Sequence, residues 1–220
     1  MIKVSLIINM LIVVLTFVAS LIMFTGFRFM HGYEVVLEST KIGMFRFYTV
    51  DSNLFMGLVS LLLAIKEINI LKGRQKEIPK KYYILKLMST SAVGLTFFIV
   101  FAYLGPISKG GIASMLMNSN LFFHLIIPVV SIMEFILVEK TDKLSFKDTK
   151  YALVPTLIYG IYYLSNVLMH MENGKFSPEY DWYWFVQNGV WTSLIVAPVI
   201  FLIAYIIGVL IWKLNRKSCD

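Results

Sequence analysis

The stretch VSLIINMLIVVLTFVASLIMFTGF, residues Val4–Phe27, decides the fold class because it contains no charged side chain. A helix that crosses the hydrocarbon core of a bilayer needs about 20 mostly apolar residues. The stretch is longer than the apolar core of a signal peptide, about 7–15 residues, and no clear small-x-small cleavage site follows it. We therefore expect a retained membrane-spanning helix, with a cleaved signal peptide as the alternative.

The composition of the whole chain agrees with a membrane protein. Of its 220 residues, 58% are hydrophobic and 15% are charged, whereas a soluble domain is roughly half apolar and a quarter charged. Intrinsic disorder is excluded because it requires few apolar residues and dense charge. Cys219 is the only cysteine, which excludes an intrachain disulfide and a zinc site built on cysteines.

Similar apolar segments recur along the chain and predict an all-α fold, a polytopic bundle of six transmembrane helices in a single domain over residues 1–220. Their continuous apolar character favours helices over the alternating strands of a membrane barrel. The expected spans are Val4–Phe27, Arg46–Ile65, Tyr82–Leu104, Ser119–Val138, Tyr151–His170 and Gly189–Trp212.

The distribution of lysine and arginine predicts the orientation. These residues concentrate at the two termini and in the loops after the second and fourth segments. By the positive-inside rule both termini should face the cytoplasm, in a multi-pass protein of the cell membrane. The net charge of +7 follows from this bias and indicates anionic lipid headgroups, rather than nucleic acid, as the partner. The sequence does not define an oligomeric state.

Polar residues at membrane depth mark the candidate site. The purely apolar part of the second segment, Leu54–Ile65, is too short to cross a bilayer, so Thr49 and its polar neighbours must enter the outer part of the membrane. Counted at 1.5 Å per residue, His124 lies ~7.5 Å and Asn166 ~6 Å inside the outer boundary, with His170 at the boundary itself. Intramembrane polar groups of this kind usually face a bundle interior or a wet cavity.

Helical spacing groups these residues into three stripes that we expect to line one pocket open to the outer leaflet. Asn53 shares a face with Thr49, Asn120 with His124, and Asn166 with His170. Two simpler interpretations stay open. The Thr49 hydroxyl would bond a carbonyl of its own helix, and His124 would make a structural hydrogen bond to a neighbouring helix.

A threonine and a histidine at equal depth on two helices are suited to acyl transfer. A hydroxyl becomes a nucleophile when a base takes its proton, and histidine is the usual base. Asn53 and Asn120 are candidate donors to the oxyanion, and Asn166 or His170 would orient the base. The three histidines are too scattered for a metal site, and we expect no cofactor.

Two stretches carry a family resemblance: FRFYTVDSNLFMG at Phe45–Gly57 and NLFFHLIIPVVSIME at Asn120–Glu134. They resemble the signature regions of the androgen-induced-gene-like and androgen-dependent TFPI-regulating membrane proteins, most closely the bacterial branch. The resemblance implies six helices and hydrolysis of fatty acid esters of hydroxy fatty acids. It implies a threonine nucleophile at Thr49 and a catalytic histidine at His124, with membrane lipids and a lipid ester as partners.

Two other functions remain as alternatives. A small-solute or proton-coupled transporter is suggested by Asp51, Glu134 and the helix breaks at Pro128 and Pro155. A non-catalytic scaffold or sensor predicts that the polar positions tolerate substitution. The simpler interpretation of Glu134 is an ion pair with a cytoplasmic lysine. The aromatic run Asp181–Phe185 is expected to form a belt at the membrane interface.

Overall fold

The computed structural model describes residues 1–171, 176–177, 179–186 and 190–217, and within these residues the chain consists of helices and loops without strands. Six helices are long and apolar enough to cross a membrane, which confirms the predicted number. They are α1 (Ile2–Thr25), α2 (Tyr48–Leu71), α3 (Lys80–Ile107), α4 (Ser119–Leu137), α5 (Phe146–Met169) and α6 (Val190–Lys217). We call the end where α1 begins the terminal end, and the opposite end the distal end.

The second helix departs most from its expected bounds. It begins at Tyr48 because residues Lys41–Arg46 form a separate 3-10 helix and Phe47 is extended. It continues past Ile65 as far as Leu71, so that Glu67 lies within the helix. The expected start of the sixth span at Gly189, like Cys219, lies outside the described residues.

The burial pattern is the inverse of that in a soluble protein. Large apolar side chains such as Phe17 on α1 and Ile158 on α5 are 67% and 65% exposed, whereas Asn9, Asn53 and Lys86 are fully buried. Exposed apolar surface on this scale is unfavourable in water. It suits a bundle that is surrounded by hydrocarbon and keeps its polar groups inside.

The α-helical geometry of α4 is interrupted at Phe122–Ile126, which form a π-helical turn. Pro128 has no amide hydrogen to donate to the carbonyl of His124, four residues earlier. Such wide turns commonly occur at functional positions. A second π-helical turn, Val100–Leu104 in α3, likewise precedes a proline, Pro106.

Helices α1 and α2 approach closely at Gly57. A Cβ atom at this position would lie 2.9 Å from Cγ2 and 3.0 Å from Cβ of Thr16 on α1. Small residues at such crossings let two membrane helices pack against each other by van der Waals contact. The absence of a side chain at Gly57 therefore permits the close approach of α2 to α1.

Substitution Gly57→Ala should destabilise the protein by about 1–3 kcal/mol, because the added methyl group overpacks the contact with Thr16. Thermal unfolding of the purified protein in detergent measures the effect. Gly160→Ala is the matched control, since a Cβ there would lie 3.6 Å from the ring of Phe201 in ordinary contact. Equal unfolding temperatures for the two variants would contradict the assigned packing.

Candidate functional site

The distal start of α2 is fixed by an aromatic loop, residues 179–186. The Tyr183 hydroxyl accepts a hydrogen bond from the amide of Tyr48 at 2.9 Å. Asp181, which is fully buried, accepts hydrogen bonds from the amides of Phe185 and Val186 at 2.9 and 3.0 Å. These contacts place the hydroxyl of Tyr183 beside the first turn of α2.

The prediction that Asp181–Phe185 form a belt at the membrane interface is therefore wrong for the first three residues of this run. Asp181, Trp182 and Tyr183 are buried, and only Trp184 is exposed. The reason is that the Asp181 carboxylate accepts main-chain amides and also the hydroxyl of Tyr163 on α5. These bonds fold the loop back onto the bundle.

His124 is held in one tautomer by the loop before α4. Its Nδ1 lies 2.6 Å from the carbonyl oxygen of Met115. Because a carbonyl only accepts hydrogen bonds, Nδ1 carries the hydrogen and Nε2 of the neutral ring is an acceptor. Nε2 is buried and has no hydrogen-bond partner among the described residues.

Asn53 joins the turn of Thr49 to the turn of His124. Its side-chain nitrogen donates to the carbonyl of Thr49 at 2.7 Å and to the carbonyl of Phe123 at 3.1 Å. Both amide hydrogens are then engaged, and the remaining atom, Oδ1, is an acceptor. Asn53 is therefore placed to orient the two helices and has no free hydrogen for an oxyanion.

A cavity of about 210 Å³ lies beside Thr49, between α2, α3, α5 and α6. Its wall is mostly apolar, and Thr49, Thr96 and Thr156 contribute hydroxyl groups to it. Leu157 and Ile161 also line it while being 49% and 60% exposed, so the cavity opens on the outer surface of α5. Within the described part of the chain the Thr49 hydroxyl makes no hydrogen bond, so the carbonyl partner considered for it is not found.

The other predicted site residues lie away from this wall. The Asn120 side chain donates to the carbonyl of Val36 at 2.9 Å and fixes the loop after α1. On α5, His170 Nδ1 contacts the carbonyl of Asn166 at 2.8 Å, and its ring stacks on Tyr180 at 3.7 Å. The group bound to His124 Nδ1 is thus a main-chain carbonyl rather than Asn166 or His170, and the three stripes do not share the cavity beside Thr49.

Asp51 faces another part of the bundle, as its angular position on α2 predicts. It lines a second cavity of about 420 Å³ together with Phe55, Leu85 and Pro155. Its carboxylate makes no hydrogen bond or ion pair within the described residues. A half-buried carboxylate of this kind is a functional candidate independent of Thr49.

Two features of the structure were not found by sequence reasoning. Tyr183 lines the same cavity as Thr49, and the signal available for it was the unusual density of aromatic residues in the loop. At the terminal end Lys86 lies fully buried and is paired with Glu134 at 2.8 Å. A partner lysine was expected for Glu134, but from the cytoplasmic loops rather than from inside the bundle.

Comparison with known proteins gives no further constraint. No protein-family model matches the chain, and neither a curated protein nor a solved structure is significantly similar to it.

Proposed function

We propose that this integral membrane protein hydrolyses lipid esters, with Thr49 as the nucleophile and His124 as the general base. The observation that carries the proposal is the state of His124. Its Nδ1–H is bound to the carbonyl of Met115, and its Nε2 is a buried acceptor that has no partner in the described part of the chain. A general base must present such a free nitrogen.

The link between the two helices supports this pairing. Through Asn53, a single amide group contacts the carbonyls of Thr49 and Phe123, at 2.7 and 3.1 Å. The residue after Phe123 is His124, so the nucleophile and the base belong to turns that are fixed to each other. His124 does not line the cavity beside Thr49, so the proposal requires a rearrangement on substrate binding that brings Nε2 to the Thr49 hydroxyl; catalytic hydrogen bonds often form only in the substrate complex.

The cavity beside Thr49 supports a substrate with an acyl chain. Its lining is almost entirely apolar apart from hydroxyl groups, and it opens between lipid-facing side chains of α5. An acyl chain would occupy the apolar part and bring its ester group to the Thr49 hydroxyl. Fatty acid esters of hydroxy fatty acids, or similar lipid esters, have this form.

In the proposed reaction the Thr49 oxygen attacks the ester carbonyl carbon while His124 Nε2 takes the hydroxyl proton. The tetrahedral intermediate collapses, the bond to the alcohol oxygen breaks, and His124 returns the proton to the departing alcohol. Water then attacks the acyl-threonine with the same base. The fatty acid leaves, and the Thr49 hydroxyl is restored.

Tyr183 is the best-placed donor to the oxyanion. Its hydroxyl lies at the start of α2 and lines the cavity with Thr49. Burial raises the pKa of Tyr183 to about 12, so its hydroxyl keeps its proton at neutral pH. Donation of this proton in a hydrogen bond would stabilise negative charge on the attacked oxygen.

Labelling with an active-site-directed fluorophosphonate tests the nucleophile. We expect the wild type to be labelled on the peptide that contains Thr49, because an activated hydroxyl attacks phosphorus as it attacks an ester. Thr49→Ser should retain labelling and Thr49→Ala should lose it. Thr25→Ala, at an exposed hydroxyl at the end of α1, is the control. An unlabelled wild type, or undiminished labelling of Thr49→Ala, would refute the assignment.

A second candidate, an ion-coupled carrier, is favoured by Asp51. Its carboxylate lies in the wall of the second cavity and forms no ion pair with any residue that the structure describes, and carboxylates at such positions mark ion pathways. Flux into vesicles that contain the purified protein separates the two functions. A carrier loses flux in Asp51→Asn and keeps it in Thr49→Ala.

A further inference from the structure

The terminal half of the bundle contains a cluster of charged side chains that the hydrolase reaction does not use. At its centre the Lys86 ammonium lies 2.8 Å from Glu134 and 3.6 Å from Glu139. It also donates to Asn9 Oδ1 at 2.7 Å. The Asn9 amide in turn contacts Glu67 Oε2 at 3.4 Å. Side chains from α1 to α4, together with Glu139 just beyond α4, thus meet around the Lys86 ammonium.

The cluster is closed to solvent. Lys86 and Glu67 are fully buried, Glu134 is 1% exposed and Glu139 is 5% exposed. Glu139, just beyond the end of α4, is the member nearest to water at the terminal end. Any ion that exchanges with the cluster therefore has its shortest route past Glu139.

The charges in the cluster do not balance. Among the described residues, the uncharged groups around it are Ser5, Asn9, Ser60, the phenol of Tyr83 and the amide of Asn215. The groups that can carry charge are Lys86 from α3, Glu67 from α2, Glu134 from α4 and Glu139 after α4. One ammonium therefore faces three carboxylates. An unpaired charge is strongly unfavourable in a buried position, so full ionisation of all three carboxylates is unfavourable.

Several carboxylate oxygens also lack donors. Within the described residues, Glu67 Oε1 and Glu139 Oε1 are buried without a hydrogen bond, and Glu139 Oε2 has only the longer ion-pair contact with Lys86 at 3.6 Å. By contrast, Glu134 Oε1 accepts the Ser5 hydroxyl at 2.9 Å. Burial raises the pKa of Glu139, and the charge of Glu134 raises it further. A buried acceptor without a donor gains one when a neighbouring carboxylate becomes a carboxylic acid, which donates a hydrogen bond.

We propose that the cluster formed by Glu67, Glu134 and Glu139 around Lys86 is a proton-binding site that holds at least one proton at neutral pH. The proton is taken from hydronium at the terminal end, converting one carboxylate to a carboxylic acid and releasing water. The ammonium of Lys86 occupies the position that a metal ion would need. A proton adds no volume, so a closed cluster of buried side chains can accept it.

Infrared spectroscopy of the full-length protein in lipid vesicles tests the site, because the carbonyl stretch of a carboxylic acid is distinct from the bands of a carboxylate. All variants carry Asp51→Asn, which removes the half-buried carboxylate of α2. At neutral pH we expect an acid band in this background. We expect Glu67→Gln, Glu134→Gln or Glu139→Gln to remove or shift it, since each is nearly isosteric and changes one member of the cluster.

Glu77→Gln is the control, since Glu77 is an exposed carboxylate paired with Lys143 at 2.7 Å. It should leave the acid band unchanged. Absence of the band from the background variant would overturn the proposal. So would a band that none of the three cluster substitutions alters, or one that Glu77→Gln alters equally. The result is independent of lipid-ester hydrolysis, which is measured on Thr49 and His124.

Discussion

Replacing Lys86 by methionine should lower the free energy of unfolding by about 3–5 kcal/mol, the cost of breaking a buried ion pair by removing one partner. The substitution leaves Glu134 and Glu139 without their cation and Asn9 Oδ1 without its donor. Because these groups are buried, water does not replace the lost contacts. Thermal or denaturant unfolding of the purified protein in detergent measures the change.

A surface lysine provides the comparison. Lys80 pairs with Asp148 at 2.7 Å, but its side chain is 46% exposed, so Lys80→Met should cost no more than about 1 kcal/mol. The double variant Lys86→Met with Glu134→Gln should recover part of the lost stability, because it removes a charge together with its partner. If Lys86→Met were as mild as Lys80→Met, the cluster would not stabilise the bundle.

Replacing His124 by asparagine should lower turnover of a fatty acid ester reporter by about 10²–10⁴-fold, the usual contribution of a general base. The asparagine amide retains a donor for the carbonyl of Met115, which His124 Nδ1 contacts at 2.6 Å. It has no basic nitrogen in place of Nε2. The loss should therefore appear as a slower reaction in a protein that folds normally.

Turnover is measured with the reporter in vesicles or mixed micelles, together with the unfolding temperature of each variant. His31→Asn, in the loop after α1, is the control and should retain wild-type turnover. Wild-type rates in His124→Asn would refute its role as the base. A parallel fall in rate and unfolding temperature would indicate instead that the hydrogen bond to Met115 is structural.

The fold could be predicted from the sequence where it depends on the composition of a single segment. Six continuous apolar runs gave the six helices, because length and hydropathy alone determine whether a segment can cross a bilayer. The residues at which the helices begin and end were less predictable. The start of α2 at Tyr48 depends on the hydroxyl of Tyr183, more than 100 residues away in the chain. Its extension to Leu71 brings Glu67 into the bundle, where Asn9 and Ser5 supply polar neighbours.

The candidate site was predictable as a set of residue types and less so as a set of contacts. The helical faces of Thr49 and Asn53 follow from spacing, and Asn53 does contact the helix of His124. No periodicity identifies the carbonyl of Met115 as the partner of His124, because it belongs to a loop. Helical spacing does place Asn166 beside His170, but it does not reveal that the His170 ring contacts the main-chain carbonyl of Asn166 rather than His124.

The opening of the Thr49 cavity between exposed side chains of α5 has a kinetic consequence. Leu157 and Ile161 line the cavity and are exposed on α5, so in the proposed function a lipid substrate would enter from the side of the bundle without passing through the aqueous phase. Occupancy would then depend on the mole fraction of that molecule in the surrounding lipid. Adding inert phospholipid at constant bulk concentration would slow the protein by surface dilution, whereas adding buffer would leave its rate per molecule almost unchanged.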